Sequence, residues 1–172
     1  MDIQARAAKI KLLLLDVDGV LTDGKIVLST SGEETKNFDV QDGLGILFLK
    51  KVGLKCAIIT ARLSRVVKIR ARQIGIDRVY ENHYKIESLE GIKRRFKVRD
   101  DEICFMGDDF IDISILKRAG LSVSVPNGVD EAKRVAHYIT KRRGGEGAVR
   151  EVCELILKAQ GKWVEATKRY FE

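Results

Sequence analysis

Two clusters of acids in this 172-residue chain carry potential chemistry: Asp16-Val17-Asp18-Gly19 and Gly107-Asp108-Asp109-Phe110-Ile111-Asp112. In extended backbone, residues two apart point the same way, so the carboxylates of Asp16 and Asp18 share a side. Anions that close repel unless a cation or a shared proton offsets them. With Asp108 beside them the pocket suits a hard divalent cation held by oxygen. Mg²⁺ fits best, because it takes few carboxylates and keeps positions for phosphate oxygens and water. Zinc-type ligation is not offered, since the only histidines are His83 and His137. Thr60 adds a hydroxyl and Lys85 an ammonium. Metal, hydroxyl and ammonium together could neutralise the equatorial oxygens of a transferring phosphoryl group. Each feature also has an ordinary explanation: a turn at Asp18-Gly19, a capped loop at Gly107-Asp108-Asp109, an N-cap at Thr60, a solvated lysine at Lys85. The choice depends on whether the fold gathers them.

The elements that must position these residues read as alternating strands and helices. A short apolar run over 10–16 predicts a buried strand that ends at Asp16. Segments 25–29 and 34–40 flank Thr30-Ser31-Gly32-Glu33, which predicts a β-hairpin. Asp42 is the expected N-cap of a helix through Lys51, with Gly53 as its stop. Strands follow at 54–60, 78–80, 102–106 and 121–125, alternating with helices at 64–74, about 85–96, about 110–119 and 129–135. A last helix is expected at about 148–159, before a polar tail over about 160–172. Such alternation implies an α/β fold, a doubly wound, Rossmann-like parallel sheet covered on both faces. Ligands of these sheets gather at the carboxyl ends of the strands. Asp16, Asp18, Thr60, Asp108, Asp109 and Asp112 all follow strands, and Lys85 lies one loop past another.

Length and composition predict one globular domain over 1–172: hydrophobic residues make up 45% and charged residues 33%, with a single proline and no linker-like stretch. The net charge of +7 admits nucleic acid, an anionic membrane or an anionic small molecule as partners. Aromatics are only 6% and are not interleaved with the basic runs Lys93-Arg94-Arg95 and Lys141-Arg142-Arg143, which argues against nucleic acid. Cys56, Cys104 and Cys153 are far apart, odd in number and set among apolar residues, as expected of free thiols in a reducing compartment. The polar start and the short apolar runs predict a cytoplasmic protein with no membrane partner.

These motifs resemble the haloacid dehalogenase superfamily of phosphotransferases. Asp16-Val-Asp18-Gly-Val-Leu-Thr22 matches its Asp-x-Asp-Gly-x-x-Thr signature throughout, and Gly107-Asp108-Asp109-Phe-Ile-Asp112 matches its acidic fourth motif. Thr60 and Lys85 fit the second and third motifs by position. The resemblance implies that Asp16 is a nucleophile and Asp18 the general acid and base. It implies Mg²⁺ held by Asp16, the Asp18 carbonyl and Asp108, supported by Asp112 and less surely Asp109, with Thr60 and Lys85 on the phosphoryl oxygens. The only sizeable insertion is the hairpin at about 24–40, so the chain resembles the branch without a cap domain, in which subunits of a homotetramer close the site. Within that branch, Gly32-Glu-Glu34, residues 38–45 and residues 144–151 resemble phosphatases of long-chain keto sugar acids. These act on 8-phosphates, or alternatively on 9-phosphates of nonulosonic acids. By that resemblance Arg150 reaches the sugar acid from a mobile glycine-rich segment, although Gly144-Gly-Glu-Gly147 could also be a plain joint. Arg62 either meets the substrate carboxylate, for which a guanidinium fork is suited, or faces solvent.

Three further alternatives remain. A phosphomutase would transfer phosphate back to sugar, but the lack of a cap to shield the intermediate from water favours hydrolysis. A phospho-receiver domain shares the acids, Thr and Lys, but keeps its acceptor Asp on a central strand after an acidic pair on the first. A non-catalytic nucleic-acid-binding relative would have no use for intact Asp16, Asp18, Asp108 and Lys85.

Overall fold

The computed structural model describes residues 2–62 and 64–172. A short helix, α1 (Ile3–Ala7), leads into β1 (Leu12–Leu15). The hairpin β2 (Val27–Leu28) and β3 (Glu34–Thr35) follows, then α2 (Val40–Lys51) and β4 (Lys55–Thr60). Next come α3 (Arg65–Gln73), β5 (Arg78–Glu81), α4 (Ile86–Phe96), β6 (Ile103–Met106) and α5 (Ile113–Leu116). β7 (Leu121–Ser124), α6 (Asp130–Val135), β8 (Tyr138–Ile139), α7 (Ala148–Ala159) and α8 (Trp163–Thr167) complete the order.

Six strands form one sheet in the order β5-β4-β1-β6-β7-β8, and every neighbouring pair is parallel. This is the doubly wound arrangement the alternation implies, with β1 and β6 side by side at its centre. Side chains alternate across a strand, and the core divides accordingly. Leu13, Leu15, Cys56, Ile58, Cys104 and Met106 face α1, α2, α3, α7 and α8. Leu12, Leu14, Ala57, Ile59, Ile103 and Phe105 face α4, α5 and α6. Burial of both faces explains why β1 reads as an unbroken leucine run. The three cysteines are free and buried.

Several boundaries differ from those expected. Helix α2 is capped by Asp39, whose carboxylate accepts the Gln41 and Asp42 N–H groups. Asp42 instead turns inward and accepts the Arg150 N–H at 2.7 Å, tying α2 to the start of α7. The helix expected over 110–119 is a 3₁₀ turn at Phe110–Asp112 followed by the single turn of α5. The polar tail folds: Trp163 of α8 packs edge-on against Phe48, with ring centroids 5.9 Å apart. Residues too few to show periodicity, α1 and the two-residue β8, had no visible signal in the sequence. Among the described residues no helix is long and apolar enough to cross a membrane.

Candidate active site

The central pair β1 and β6 brings the two acidic clusters together. Asp16 leaves β1 with its N–H bonded to the Met106 carbonyl of β6 at 3.0 Å, so both strand ends open at one level. One carboxylate oxygen from each of Asp16, Asp108 and Asp112 lies within 4.8 Å of the others. Asp112 is fully buried, and its Oδ2 accepts the N–H groups of Asp108 (3.0 Å) and Asp109 (3.2 Å), which fixes the loop that carries Asp108. The Lys85 side chain, also fully buried, reaches in from the start of α4. Its Nζ lies 2.6 Å from Asp16 Oδ1 and 2.6 Å from Asp112 Oδ1.

Crowding of carboxylates in a dry site shows in their ionisation. Burial first, and then the Asp112 charge, push Asp16 up to about 7 against the pull of Lys85. Asp108 is pushed up to about 8 by burial and by Asp16, Asp112 and Asp109. Burial alone would lower Lys85, but Asp16 and Asp112 outweigh it and hold the ammonium above its usual range. One lysine does not offset the three acids. Asp108 Oδ1 is buried and has no hydrogen-bond partner. An orphaned carboxylate oxygen among oxygen-only donors fits a hard divalent cation.

The Asp16–Gly24 loop is shaped by close approaches. Gly19 has φ +88°, and a Cβ there would lie 2.0 Å from Asp108 Oδ2. Thr22, the last residue of the Asp-x-Asp-Gly-x-x-Thr signature, accepts the Gly19 and Gly24 N–H groups and donates to the Val17 carbonyl. Its role is to close this loop. Asn127 donates to the Gly19 carbonyl (2.8 Å) and accepts the Gly144 N–H (2.7 Å), clamping the glycine-rich segment onto the loop. Nothing in the sequence singled out Asn127 for that bridge.

Asp18 lies outside the three-acid group. Its carboxylate pairs with Lys36, whose side chain is fully buried. Glu34 of the hairpin lies 3.2 Å from Lys36 and accepts from Arg62 at 2.9 Å. Thr60 ends β4 buried, its hydroxyl donating to the Arg62 carbonyl and accepting the Arg62 N–H, both at 3.2 Å. Asp16, Asp18, Thr60, Ala61, Arg62, Asp108, Asp109 and Ile111 line a small cavity of about 90 Å³. A larger hollow at the opposite edge of the sheet, lined by Lys9, Lys11 and Lys55 among others, has no acid in its lining. Arg150 is not brought to the cavity in this chain: it bonds Glu154 at 2.8 Å and stacks 4.9 Å over the Phe48 ring. Any reach toward a substrate would break those contacts.

Residues 58–152 match the family of haloacid dehalogenase-like hydrolases, more than half of the chain. This chain belongs to that family. A curated relative of this hydrolase, 3-deoxy-D-manno-octulosonate 8-phosphate phosphatase KdsC of Escherichia coli (strain B / BL21-DE3), is 40% identical over 96% of this chain and 88% of its own length. Among solved structures, the 3-deoxy-D-manno-octulosonate 8-phosphate phosphatase of Moraxella catarrhalis, in complex with magnesium, phosphate and KDO, superposes with a TM-score of 0.94. It is 43% identical and covers 99% of this chain and 98% of its own. The cobalt-bound deoxy-D-mannose-octulosonate 8-phosphate phosphatase of Haemophilus influenzae has a TM-score of 0.90 at 31% identity, covering 96% and 98% of the two chains. The hydrolase fold agrees with the sequence expectation, and the phospho-receiver alternative falls with the family assignment.

Proposed function

We propose that this hydrolase is a phosphatase of 3-deoxy-D-manno-octulosonate 8-phosphate, yielding a precursor of lipopolysaccharide. The observation that carries the chemistry is the meeting of Asp16, Asp108 and Asp112, with Asp18 held apart from them. The names of the similar proteins support the 8-phosphate over the 9-phosphate of a nonulosonic acid.

Asp16, its Oδ1 already on Lys85, attacks phosphorus with its other oxygen, and the bond between phosphorus and the sugar oxygen breaks. Asp18 gives its proton to the leaving sugar oxygen, then takes one from the water that attacks the aspartyl phosphate. Inorganic phosphate leaves and Asp16 returns as a carboxylate. Thr60 and Lys85 hold the phosphoryl oxygens, and Arg62 meets the sugar-acid carboxylate. Asp16, the Asp18 carbonyl and Asp108 would hold Mg²⁺, with Asp112 behind Asp108. The ion supplies charge neutralisation for the phosphoryl oxygens when bound.

Asp16→Asn and Asp18→Asn should each abolish phosphate release while the circular dichroism spectrum and melting stay native-like. Full turnover by either variant, or turnover that persists in chelator and ignores added Mg²⁺, would end this assignment. A screen of 8- and 9-phosphates of keto sugar acids checks the substrate.

We further propose a cytoplasmic homotetramer. A cavity of about 90 Å³ is small for a sugar-acid phosphate, so a neighbouring copy would cover the rest of the ligand. The hairpin offers exposed apolar residues for that contact, Val27 at 54% and Leu28 at 60% exposure. Light scattering on the eluting protein should give four chain masses; a fully active monomer would remove the proposal.

A further inference from the structure

We infer that Lys36 is a positioning residue that holds the Asp18 carboxylate where proton transfer to the leaving group requires it. The inference rests on Asp18 being the acid and base proposed above. Lys36 follows β3 of a hairpin whose opposite strand, Val27 and Leu28, is exposed, yet its own side chain has no solvent exposure. A buried ammonium costs several kcal/mol unless anions compensate it. Lys36 finds two: Asp18 through Oδ1, which it hydrogen-bonds, and Glu34, whose Oε1 lies 3.2 Å away as an ion pair without a hydrogen bond. Glu34 Oε2 in turn takes the Arg62 guanidinium at 2.9 Å. Asp18, Lys36, Glu34 and Arg62 therefore form one ionic chain, whose two ends, Asp18 and Arg62, both line the cavity.

That chain has a consequence for catalysis. Asp18 stands in the tight loop after β1, and its side chain retains partial exposure, 27%. An untethered carboxylate there could rotate among several attitudes. With Oδ1 engaged by Lys36, the second oxygen is left to serve the cavity. Removing one partner of a buried ion pair also weakens the fold, so kinetics on two substrates, rather than folding alone, separate a positioning role from a structural one. The hairpin acquires a role beyond covering the site: it delivers the cation that sets the acid.

The test compares two substrates whose leaving groups differ. A sugar alkoxide needs a proton as it departs, whereas p-nitrophenolate is stable without one. Lys36→Met should remain folded and lower kcat on the sugar-acid phosphate by about 100-fold, the low end of what a positioned acid contributes. KM should change less than about threefold, and the nitrophenolate burst from p-nitrophenyl phosphate should fall at least about tenfold less than the sugar-phosphate rate. Lys36→Arg, which keeps the charge and the hydrogen bond, should recover at least a tenth of the parent kcat. Equal losses on both substrates, or a parent-like kcat on the sugar phosphate, would overturn the inference. If Lys36→Met does not fold, the neutral, polar Lys36→Gln carries the test. Its lost charge should cost kcat on the sugar phosphate and leave the burst intact, and an unchanged ratio of the two substrates would overturn the inference. Asp18→Asn, run alongside, separates the two claims. An active Asp18→Asn removes the acid itself, whereas an inactive Asp18→Asn beside a fully active Lys36→Met removes only the role of Lys36.

Discussion

The floor and the wall of the cavity are built differently. The floor, Asp16, Lys85, Asp108 and Asp112, sits where two central strands end and is locked by backbone hydrogen bonds: Asp16 N–H to Met106, Asp108 and Asp109 N–H to Asp112. The wall, from Asp18 through Lys36 and Glu34 to Arg62, is joined by side-chain ion pairs, and two of its members come from a hairpin with only two residues paired per strand. Backbone bonds in a dry core tolerate no slack, because each broken donor or acceptor stays unsatisfied. The ion pairs of the wall lack that backbone support: Lys36 at its middle is buried, but Arg62 at its far end is 45% exposed, and that end can exchange partners. On the proposed mechanism the chemistry common to phosphoryl transfer rests on the floor, and the groups proposed to meet the sugar acid and carry its proton rest on the wall.

Four measurements would break or sharpen this contrast. The largest effect is expected at the floor. Gly19→Ala places a Cβ 2.0 Å from Asp108 Oδ2 at a φ of +88°, so Asp108 must move. We expect kcat/KM to fall about 100-fold or more, about 3 kcal/mol, together with weaker Mg²⁺ binding by calorimetric titration. Parent-like Mg²⁺ affinity would show that Asp108 carries no part of the metal site. At the wall, Arg62→Ala should raise KM for the sugar-acid phosphate about tenfold, or about 1.4 kcal/mol, with kcat nearly unchanged. The same variant should leave p-nitrophenyl phosphate hydrolysis untouched, since that substrate has no carboxylate. A matching loss on both substrates would move Arg62 into the floor.

A smaller effect concerns the metal-free protein. Asp16 at about 7 and Asp108 at about 8 lie above their ordinary 3.8, so the fold retains protons that the unfolded chain has already released. Their contribution to stability thus falls as pH climbs from near 3.8 through these values. At the proposed metal site Mg²⁺ would take the place of those protons. The rise in melting temperature on adding Mg²⁺ should be larger at about pH 8 than at about pH 5. An equal rise at both would detach the shifts from the metal cluster.

The smallest effect lies away from the cavity. Asp42 is 1% exposed, its Oδ2 has no hydrogen-bond partner, and burial pushes it up to about 7. As with the floor acids, the sign is a loss of stability with rising pH. Asp42→Asn stays neutral and can still accept the Arg150 N–H. It should match the parent only below about pH 4 and exceed it increasingly as pH rises, by at least about 1 kcal/mol at about pH 8, in urea titrations. A variant less stable at both would mean that the charge itself holds the start of α7.

Much of this was legible in the residues. The acids of both clusters, Thr60 and Lys85 were placed at one sheet edge from strand ends alone, and α7 begins and ends at the expected residues. Elsewhere local signals competed. Asp39 and Asp42 are both good caps, and which of them starts α2 depends on the distant Arg150 N–H that claims Asp42. The stretch after Asp109 has helical composition, but Asp112 turns back to its own loop, leaving a 3₁₀ turn and one turn of helix. Lys36 gave no sign, because a lysine in a polar hairpin ordinarily belongs to solvent.

The sequence by itself determined the doubly wound sheet, the identity of the acids and their place after the strands. Those features follow from periodicity and from motifs only a few residues long. The tertiary structure alone decided which distant charges meet: Lys85 with Asp16 and Asp112, and Lys36 with Asp18, whereas Arg150 with Glu154 is an i,i+4 contact within α7. Electrostatic partnership is set by distance and dielectric, and neither exists along the chain until the sheet brings its strands together and excludes water.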